Sequence, residues 1–373
     1  MTQKGRVGLR RIAFIIGHLG VGGAQKQLSL LASQLCRSGV EVHVLLLSKG
    51  GPHETALRSA GIHVHKLGFD RKAGAGNIHA FARLVALLRR LRPDVLHAYL
   101  RHSYLVGVPA ARLAGVPVVV AGRRNENRLD PRQSWSVALD RTIMRMTDHV
   151  VVNAAALARD ARSLGVPADK LTVIYNGLPA AAFEPAEPEP IDTTLPVLMI
   201  VARLSEEKGH RFLLDALPLL ARRGRPCTLV LAGDGPERDH LQRQAAALDI
   251  DVRFLGARTD IARLLARADV VLLPSVTEGL SNALMEAMAA GRPVIATSVG
   301  GNLELLEDRG ILVRASDPAA LADGICRLLE DPELARQLSE AARLWAQKTF
   351  DTHEMVDEHI KLYRHLLEQR HAG

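Results

Sequence analysis

Two carboxylates, Glu278 and Glu286, close the ends of the stretch EGLSNALME, whose pattern is that of a loop entering a helix. A carboxylate accepts paired hydrogen bonds, so each can hold the adjacent hydroxyls of a ribose or a hexose. Ser281 is a helix-capping residue type, and Leu284, Ala287 and Met288 recur behind it at helical spacing. A helix start leaves N–H groups open and carries the positive end of the helix dipole, which together attract an anion. The stretch thus offers hydroxyl acceptors and an anion seat in one short piece of chain. A plainer reading stands beside this one: Glu278 complements the helix dipole and Glu286 lies on a solvated face.

The elements around it must hold it in place. The apolar run 270–273 reads as a buried strand, Gly291 as the left-handed residue that ends the helix, and 294–297 as the next strand, with Pro293 barring any continuation. The chain opens in the same grammar, with a strand over 11–17, the loop HLGVGGAQ, and a helix to about residue 35. Gly20, Gly22 and Gly23 either let the backbone approach a ligand in front of helix amides or serve only a tight turn. A dinucleotide fingerprint needs glycine where Gln25 stands, and the second strand, EVHVLLL, ends at Ser48-Lys49 without an acidic ribose ligand, which disfavours NAD. Strands over 64–67, 95–98, 118–121, 149–152 and 171–174 then alternate with helices over 77–91, 103–114 and up to 164. The pattern lapses in AAAFEPAEPEPIDTT, where three prolines and three glutamates predict an extended, solvated linker. Beyond it the alternation restarts, with strands over 197–201, 228–231 and 252–255 and helices over 211–221, 318–329, 332–348 and 353–367. Repeated strand–helix units predict an α/β protein of two Rossmann-like, doubly wound parallel-sheet domains, 1–180 and 195–352, joined by a linker over 181–194 and followed by a terminal helix in 353–373.

Composition bounds the setting. With 373 residues, 47% apolar and only 3% aromatic, the chain is long enough for two cores packed mainly with aliphatic side chains. Cys36, Cys227 and Cys326 are scattered and odd in number, which argues for a reducing cytosol. The apolar run 12–16 suits a first strand rather than a signal peptide, and no run approaches the roughly 20 residues of a membrane helix. Charge is uneven: residues 1–185 hold 26 Lys+Arg against 11 Asp+Glu, a balance of +15, and the rest hold 22 against 29, a balance of −7. Such asymmetry points the first half at an anionic surface. Nucleic acid lacks support, because the sequence has no aromatic stacking platform or helix-turn-helix pattern. The expected partner is an anionic membrane surface, with the protein cytoplasmic and peripheral at the inner face. Arg83, Arg89, Arg90 and Arg92 lie among Phe81, Leu84, Val85, Leu87 and Leu88 as on a basic interfacial helix, or on a packed helix with a solvated face. Arg123, Arg124, Arg128 and Arg132, ahead of Trp135, form a second basic cluster suited to an acceptor's phosphate or to a simple loop.

Eight segments, in order GGAQKQ, DVLHAY, VVNAAALARD, VIYNGL, VARLSEEKG, LAGDGPE, VRFLGAR and ADVVLLPSVTEGLSNALMEAMAAGRPVIAT, resemble the retaining family-four glycosyltransferases of the GT-B fold over almost the whole chain. The resemblance implies two Rossmann-like domains facing across a cleft, a C-terminal domain for the sugar nucleotide, an N-terminal domain for the acceptor, and a last helix crossing back to the first domain. It assigns Arg203 and Lys208 to the donor diphosphate, Glu286 to the ribose, and Glu278 to the transferred sugar. Gly279, Leu280, Ser281 and Asn282 fall at the phosphate or sugar, Gly22 and Gly23 close over the donor, and the segment holding Gly256 and Arg258 lies near the base. His97 matches the first of two family histidines and is assigned a catalytic role, or is a buried strand-end residue. Tyr99 stands where the second histidine, frequently placed near the sugar, is common, with His102 as a substitute across the next turn. The implied reaction moves a hexose or N-acetylhexosamine, with retention, from a nucleotide diphosphate sugar (UDP first) to a lipid-linked or saccharide acceptor in surface polysaccharide synthesis. No cofactor or metal is expected: the pair Asp249 and Asp251 sits where acidic turn residues are common, and His353-Glu354 lacks a histidine at zincin spacing. A catalytically silent nucleotide-sugar-binding protein and a sugar-nucleotide epimerase remain the alternatives, the epimerase being disfavoured by ARLSEEKG together with EGLSNALME.

Overall fold

The computed structural model describes residues 8–70, 75–124 and 134–372. The chain divides into two units, Met1–Gly177 with Thr352–Gly373, and Leu178–Asp351.

The first unit runs β1 (Arg11–Ile16), α1 (Gly23–Arg37), β2 (Glu41–Leu46), α2 (His53–Ser59), β3 (His63–Lys66), α3 (Ala75–Leu91), β4 (Val95–Tyr99), α4 (Arg101–Ala114), β5 (Val118–Arg123), α5 (Ser134–Arg145), β6 (His149–Val152), α6 (Ala155–Ser163) and β7 (Leu171–Val173). Its sheet has the order β3-β2-β1-β4-β5-β6-β7, parallel throughout. The central strands are continuous apolar runs because helices cover both of their faces, and β1, β4 and β5 are almost wholly buried. Two helices of this unit, α2 and α5, escape the sequence reading. In α5 a buried Asp140 interrupts the apolar period, and in α2 only Leu57 is buried.

The second unit runs β8 (Val197–Val201), α7 (His210–Arg222), β9 (Thr228–Ala232), α8 (Arg238–Ala246), β10 (Val252–Gly256), α9 (Ile261–Arg267), β11 (Val270–Leu273), α10 (Asn282–Ala289), β12 (Val294–Thr297), α11 (Asn302–Leu306), β13 (Ile311–Val313), α12 (Pro318–Glu330) and α13 (Pro332–Thr349). Its sheet is again wholly parallel, in the order β10-β9-β8-β11-β12-β13. The Pro/Glu segment expected as a solvated linker is strapped onto this unit. Glu189 accepts from Arg258 Nη2 at 2.8 Å and its N–H donates to the Arg263 carbonyl at 3.0 Å. Arg253 Nη2 donates to the Asp192 carbonyl at 2.7 Å, and Thr193 shares a hydrogen bond with Thr228 at 2.8 Å. The prolines deny the segment a ladder of its own, and the arginines of β10 and its following loop hold it instead.

The last helix, α14 (Thr352–Ala372), belongs to the first unit. Met355, Val356, Tyr363, Leu366 and Leu367 form one helical stripe that joins the core of β1, β4 and α1. Each such side chain contributes about 1.5–3 kcal/mol on burial, so the return crossing is fixed by packing. Polar groups sit inside this core. Nδ1 of His97 shares a 2.7 Å hydrogen bond with the Tyr363 hydroxyl, and His359 Nδ1 donates to the Met355 carbonyl at 2.8 Å. Burial holds both imidazoles neutral, driving His97 well below 6.5 and His359 to about 3.

A pH dependence follows. The unfolded chain takes up protons below about pH 6.5, and the native core does not. The stability contributed by these residues is whole above that pH and is lost as pH falls toward about 3, by up to about 1.4 kcal/mol per pH unit per group. The urea midpoint is expected to drop between pH 7 and pH 5, and to drop less in His359→Gln. A midpoint that stays level over this range in the natural protein would contradict the buried, neutral pair.

Both sheets change direction once, between β1 and β4 and between β8 and β11. Helices leave to opposite sides at such a point, opening a crevice at the carboxyl ends of the strands, where α/β sheets bind ligands.

Candidate functional site

At the switch point of the second unit, the loops after β8 and β11 meet. Lys208 ends a short 3₁₀ turn over Glu206–Lys208, closed by its N–H donating to the Ser205 carbonyl at 3.0 Å. Gly209 follows with φ of +66°, and a Cβ there would lie 2.0 Å from the Pro274 carbonyl oxygen. Only glycine lets the two loops come so close. Two residues beyond Pro274, the Val276 N–H donates to the Glu207 carbonyl at 2.8 Å. These backbone contacts bring Lys208 Nζ onto Glu278 Oε1, which also accepts from Ser275 Oγ at 2.8 Å. Glu278 is 8% exposed, and its Oε2 has no bonded partner among the described residues.

Behind Glu278 the chain enters α10 as the sequence predicts. Ser281 Oγ accepts from the Leu284 N–H at 3.3 Å. At the far end Gly291, with φ of +64°, donates to the Met288 carbonyl and Arg292 to that of Ala287, each at 3.0 Å, which is a Schellman ending. Gly279, Leu280 and Ser281 are buried in the loop, and Asn282 and Glu286 are half-buried on the helix. The loop after β12 backs this turn: the Gly301 N–H donates to the Gly279 carbonyl at 2.8 Å, and Gly300 lies against the Glu278 carbonyl. Arg203 sits in the loop after β8, exposed, with no ion pair among the described residues. The second unit thus gathers Arg203, Lys208, Glu278 and the start of α10 around one switch point. A free cation, a paired cation and helix amides suit a diphosphate, and a carboxylate with an open oxygen suits a sugar hydroxyl.

Other expectations fare differently. Gly256 ends β10 with φ of +69°, its carbonyl accepting from the Gly233 N–H at 2.8 Å. Arg258 is committed to protein carboxylates, donating from Nε to Asp260 at 2.7 Å and from Nη2 to Glu189 at 2.8 Å. Its guanidinium straps the segment 181–194 onto this unit. Asp251 is likewise taken up, by Arg253 at 2.7 Å and the Thr228 hydroxyl at 3.1 Å. His210, beside the Lys208 turn, went unremarked in the sequence; it is buried, and burial pushes it to about 4.

In the first unit, Gly22 and Gly23 open α1 and His102 lies exposed in the first turn of α4, all at the carboxyl end of the sheet. His97 is fully buried, in keeping with the strand-end reading: its Nδ1 is hydrogen-bonded to Tyr363, and its Nε2 has no partner among the described residues. Tyr99 is buried too, accepting from Arg124 Nη2 at 3.0 Å while the guanidinium lies 4.4 Å from its ring. Arg124 also donates to Asn176 Oδ1 at 2.7 Å, and Arg123 pairs with Asp160, so these two arginines are structural. Arg128 and Arg132 of the same cluster lie outside the described residues. No helix among the described residues is long and apolar enough to cross a membrane.

Comparison with known proteins adds an independent line. The family described as "Glycosyltransferase Family 4" matches residues 21–181, and "Glycosyl transferases group 1" matches 195–331. Glycogen synthase of Mycobacterium tuberculosis is 30% identical, covering 92% of this chain and 91% of its own. The lipopolysaccharide core biosynthesis glycosyltransferase LpsE of Rhizobium meliloti is 27% identical over 91% of this chain and 95% of its own. Among solved structures, Anabaena HepE in complex with UDP and glucose aligns with a TM-score of 0.81 at 26% identity, over 94% of this chain and 98% of that one.

Proposed function

This chain belongs to the family-four glycosyltransferases of the GT-B fold, and on that footing we propose that its second unit binds a nucleotide diphosphate sugar whose sugar passes to an acceptor held by the first. The observation that carries this reading is the Lys208–Glu278 pair beside the Ser281-capped helix, at the strand switch point. Breaking the bond between the anomeric carbon and the phosphate oxygen leaves negative charge on the diphosphate. Arg203, Lys208 and the amides of α10 stabilise that charge as it develops. Glu278 holds a sugar hydroxyl through Oε2, and Glu286 the ribose.

The acceptor hydroxyl attacks the same face of the sugar that the diphosphate leaves, and its proton passes to the departing phosphate oxygen. The configuration is retained, and two cations do the work a divalent metal does elsewhere. UDP as the nucleotide is supported by the likeness to HepE, and a lipid-linked or saccharide acceptor in surface polysaccharide synthesis by the likeness to LpsE. The +15 balance of the first half favours an acceptor at an anionic membrane surface.

A thermal-shift screen against UDP-, GDP- and ADP-sugars tests the donor, with stabilisation by a UDP-sugar expected and indifference to all three fatal to the reading. NMR of the product tests the stereochemistry, and an inverted linkage would exclude same-face attack. Activity should persist in chelator; a loss restored by magnesium would remove the cations from the role given them. One observation favours a second reading, a silent nucleotide-sugar binder: neither His97 nor Tyr99 is exposed. Donor hydrolysis without acceptor separates an enzyme from that binder.

A further inference from the structure

On the edge of the first unit's sheet, β3 and α3 form an open cavity of about 440 Å3 lined by His65, Lys66, Leu67, Arg83, Leu87 and Arg90 among others. Among the described residues no carboxylate lines it, and the sequence of α3 has no acidic residue. Lys66 is paired with Glu54 at 3.0 Å. Arg83 reaches only the Leu67 carbonyl, and Arg90 has no hydrogen bond or ion pair among the described residues. Two guanidiniums seven residues apart on one helix therefore face the same concavity without a counter-charge among the described residues. Beside them His65 shares a 3.2 Å hydrogen bond with His43, whose ring stacks on His63 at 4.9 Å between centroids. Burial first, then His43, His63 and Arg90, push His65 to about 4, so it adds no positive charge of its own near neutral pH.

We propose that this cavity is a binding site for a phosphate group, held by the Arg83 and Arg90 guanidiniums with the Lys66 ammonium at its side. Two planar donor forks and a point charge match a phosphate's several acceptor oxygens better than a carboxylate's two. The volume accommodates a headgroup or a small phosphorylated molecule rather than a bare ion alone. The phosphate is carried either by a membrane lipid or by a soluble compound. None of the residues involved takes part in the transfer reaction proposed above, so the site stands or falls separately.

The test uses the full chain. Calorimetric titration with inorganic phosphate and with glycerol phosphate is set beside flotation on phosphatidylcholine vesicles with and without phosphatidylglycerol. Saturable binding of the soluble phosphates that displaces protein from vesicles supports a soluble source. Binding confined to vesicles with phosphatidylglycerol supports a lipid source. In either case Arg90→Gln, at an exposed and unpaired position, is expected to weaken binding at least about tenfold and Arg83→Gln/Arg90→Gln to abolish it, with the thermal midpoint and the response to UDP of Arg90→Gln unchanged. Absence of binding to both phosphate and anionic vesicles, or binding that Arg90→Gln leaves intact, overturns the proposal.

Discussion

Arg203→Ala is expected to lower turnover by about 10²-fold or more while leaving the thermal midpoint in place, as loss of one preorganised donor to a developing anion does. The side chain is exposed and makes no ion pair among the described residues, so nothing in the fold depends on it. Lys208→Ala is expected to lose as much turnover and some stability besides. Its ammonium neutralises Glu278, which is only 8% exposed, and removing it leaves a buried carboxylate unpaired. The stability cost is about 1–2 kcal/mol, below that of a fully buried pair because the Lys208 side chain is 24% exposed. Measured together, kcat and the urea midpoint separate the two: Arg203→Ala moves only the first, Lys208→Ala moves both. Unchanged kcat in a folded Arg203→Ala protein removes the guanidinium from the charge-stabilising role. A Lys208→Ala protein that recovers turnover with Glu278→Gln added would assign the lysine to holding the carboxylate rather than to the diphosphate.

How much of this could be read from the residues alone depends on the range of the interaction. The start and end of α10 were legible because a serine cap and a glycine ending act over one turn. The parallel sheets were legible because strands covered on both faces are apolar throughout. The pairing of Lys208 with Glu278, 70 residues apart, was not legible: the resemblance assigned one to the diphosphate and the other to the sugar, and no local pattern joins them. What joins them is backbone proximity, Gly209 at Pro274 and Glu207 at Val276, which side-chain periodicity does not record. The two readings of His97 could not be separated for the same reason: Tyr363, the partner of its Nδ1, stands 266 residues away. Arg258 looked available until Asp260 and Glu189 closed on it, the latter from a segment whose composition resembled free linker. Helix α5 was missed where a buried aspartate, bonded to Tyr104 and Arg101, replaced an apolar residue in the period.

Gly300→Ala carries the other large effect expected, and it tests whether the loop after β12 sets the position of Glu278. Gly300 has φ of +50°, and a Cβ built there lies 1.9 Å from the Glu278 carbonyl oxygen and 3.3 Å from that of Gly279. The only sequence signal for this contact is the Gly-Gly dipeptide after the strand. Because the obstacle is backbone, no side chain can swing aside, and the loop that carries Glu278 must move instead. A displacement of about 1 Å at a positioning group costs about 10²-fold in rate, so kcat is expected to fall by that order. The unfavourable left-handed conformation adds about 1–2 kcal/mol of destabilisation on its own, which a control must remove. Gly224→Ala supplies it: φ there is +69°, but nothing lies within 4 Å of the added methyl. Both variants should lose comparable stability through the backbone, and only Gly300→Ala should lose turnover. Equal turnover in the two would mean that the Gly300 loop yields and Glu278 stays, so that the carboxylate is located by Lys208 and Ser275 alone.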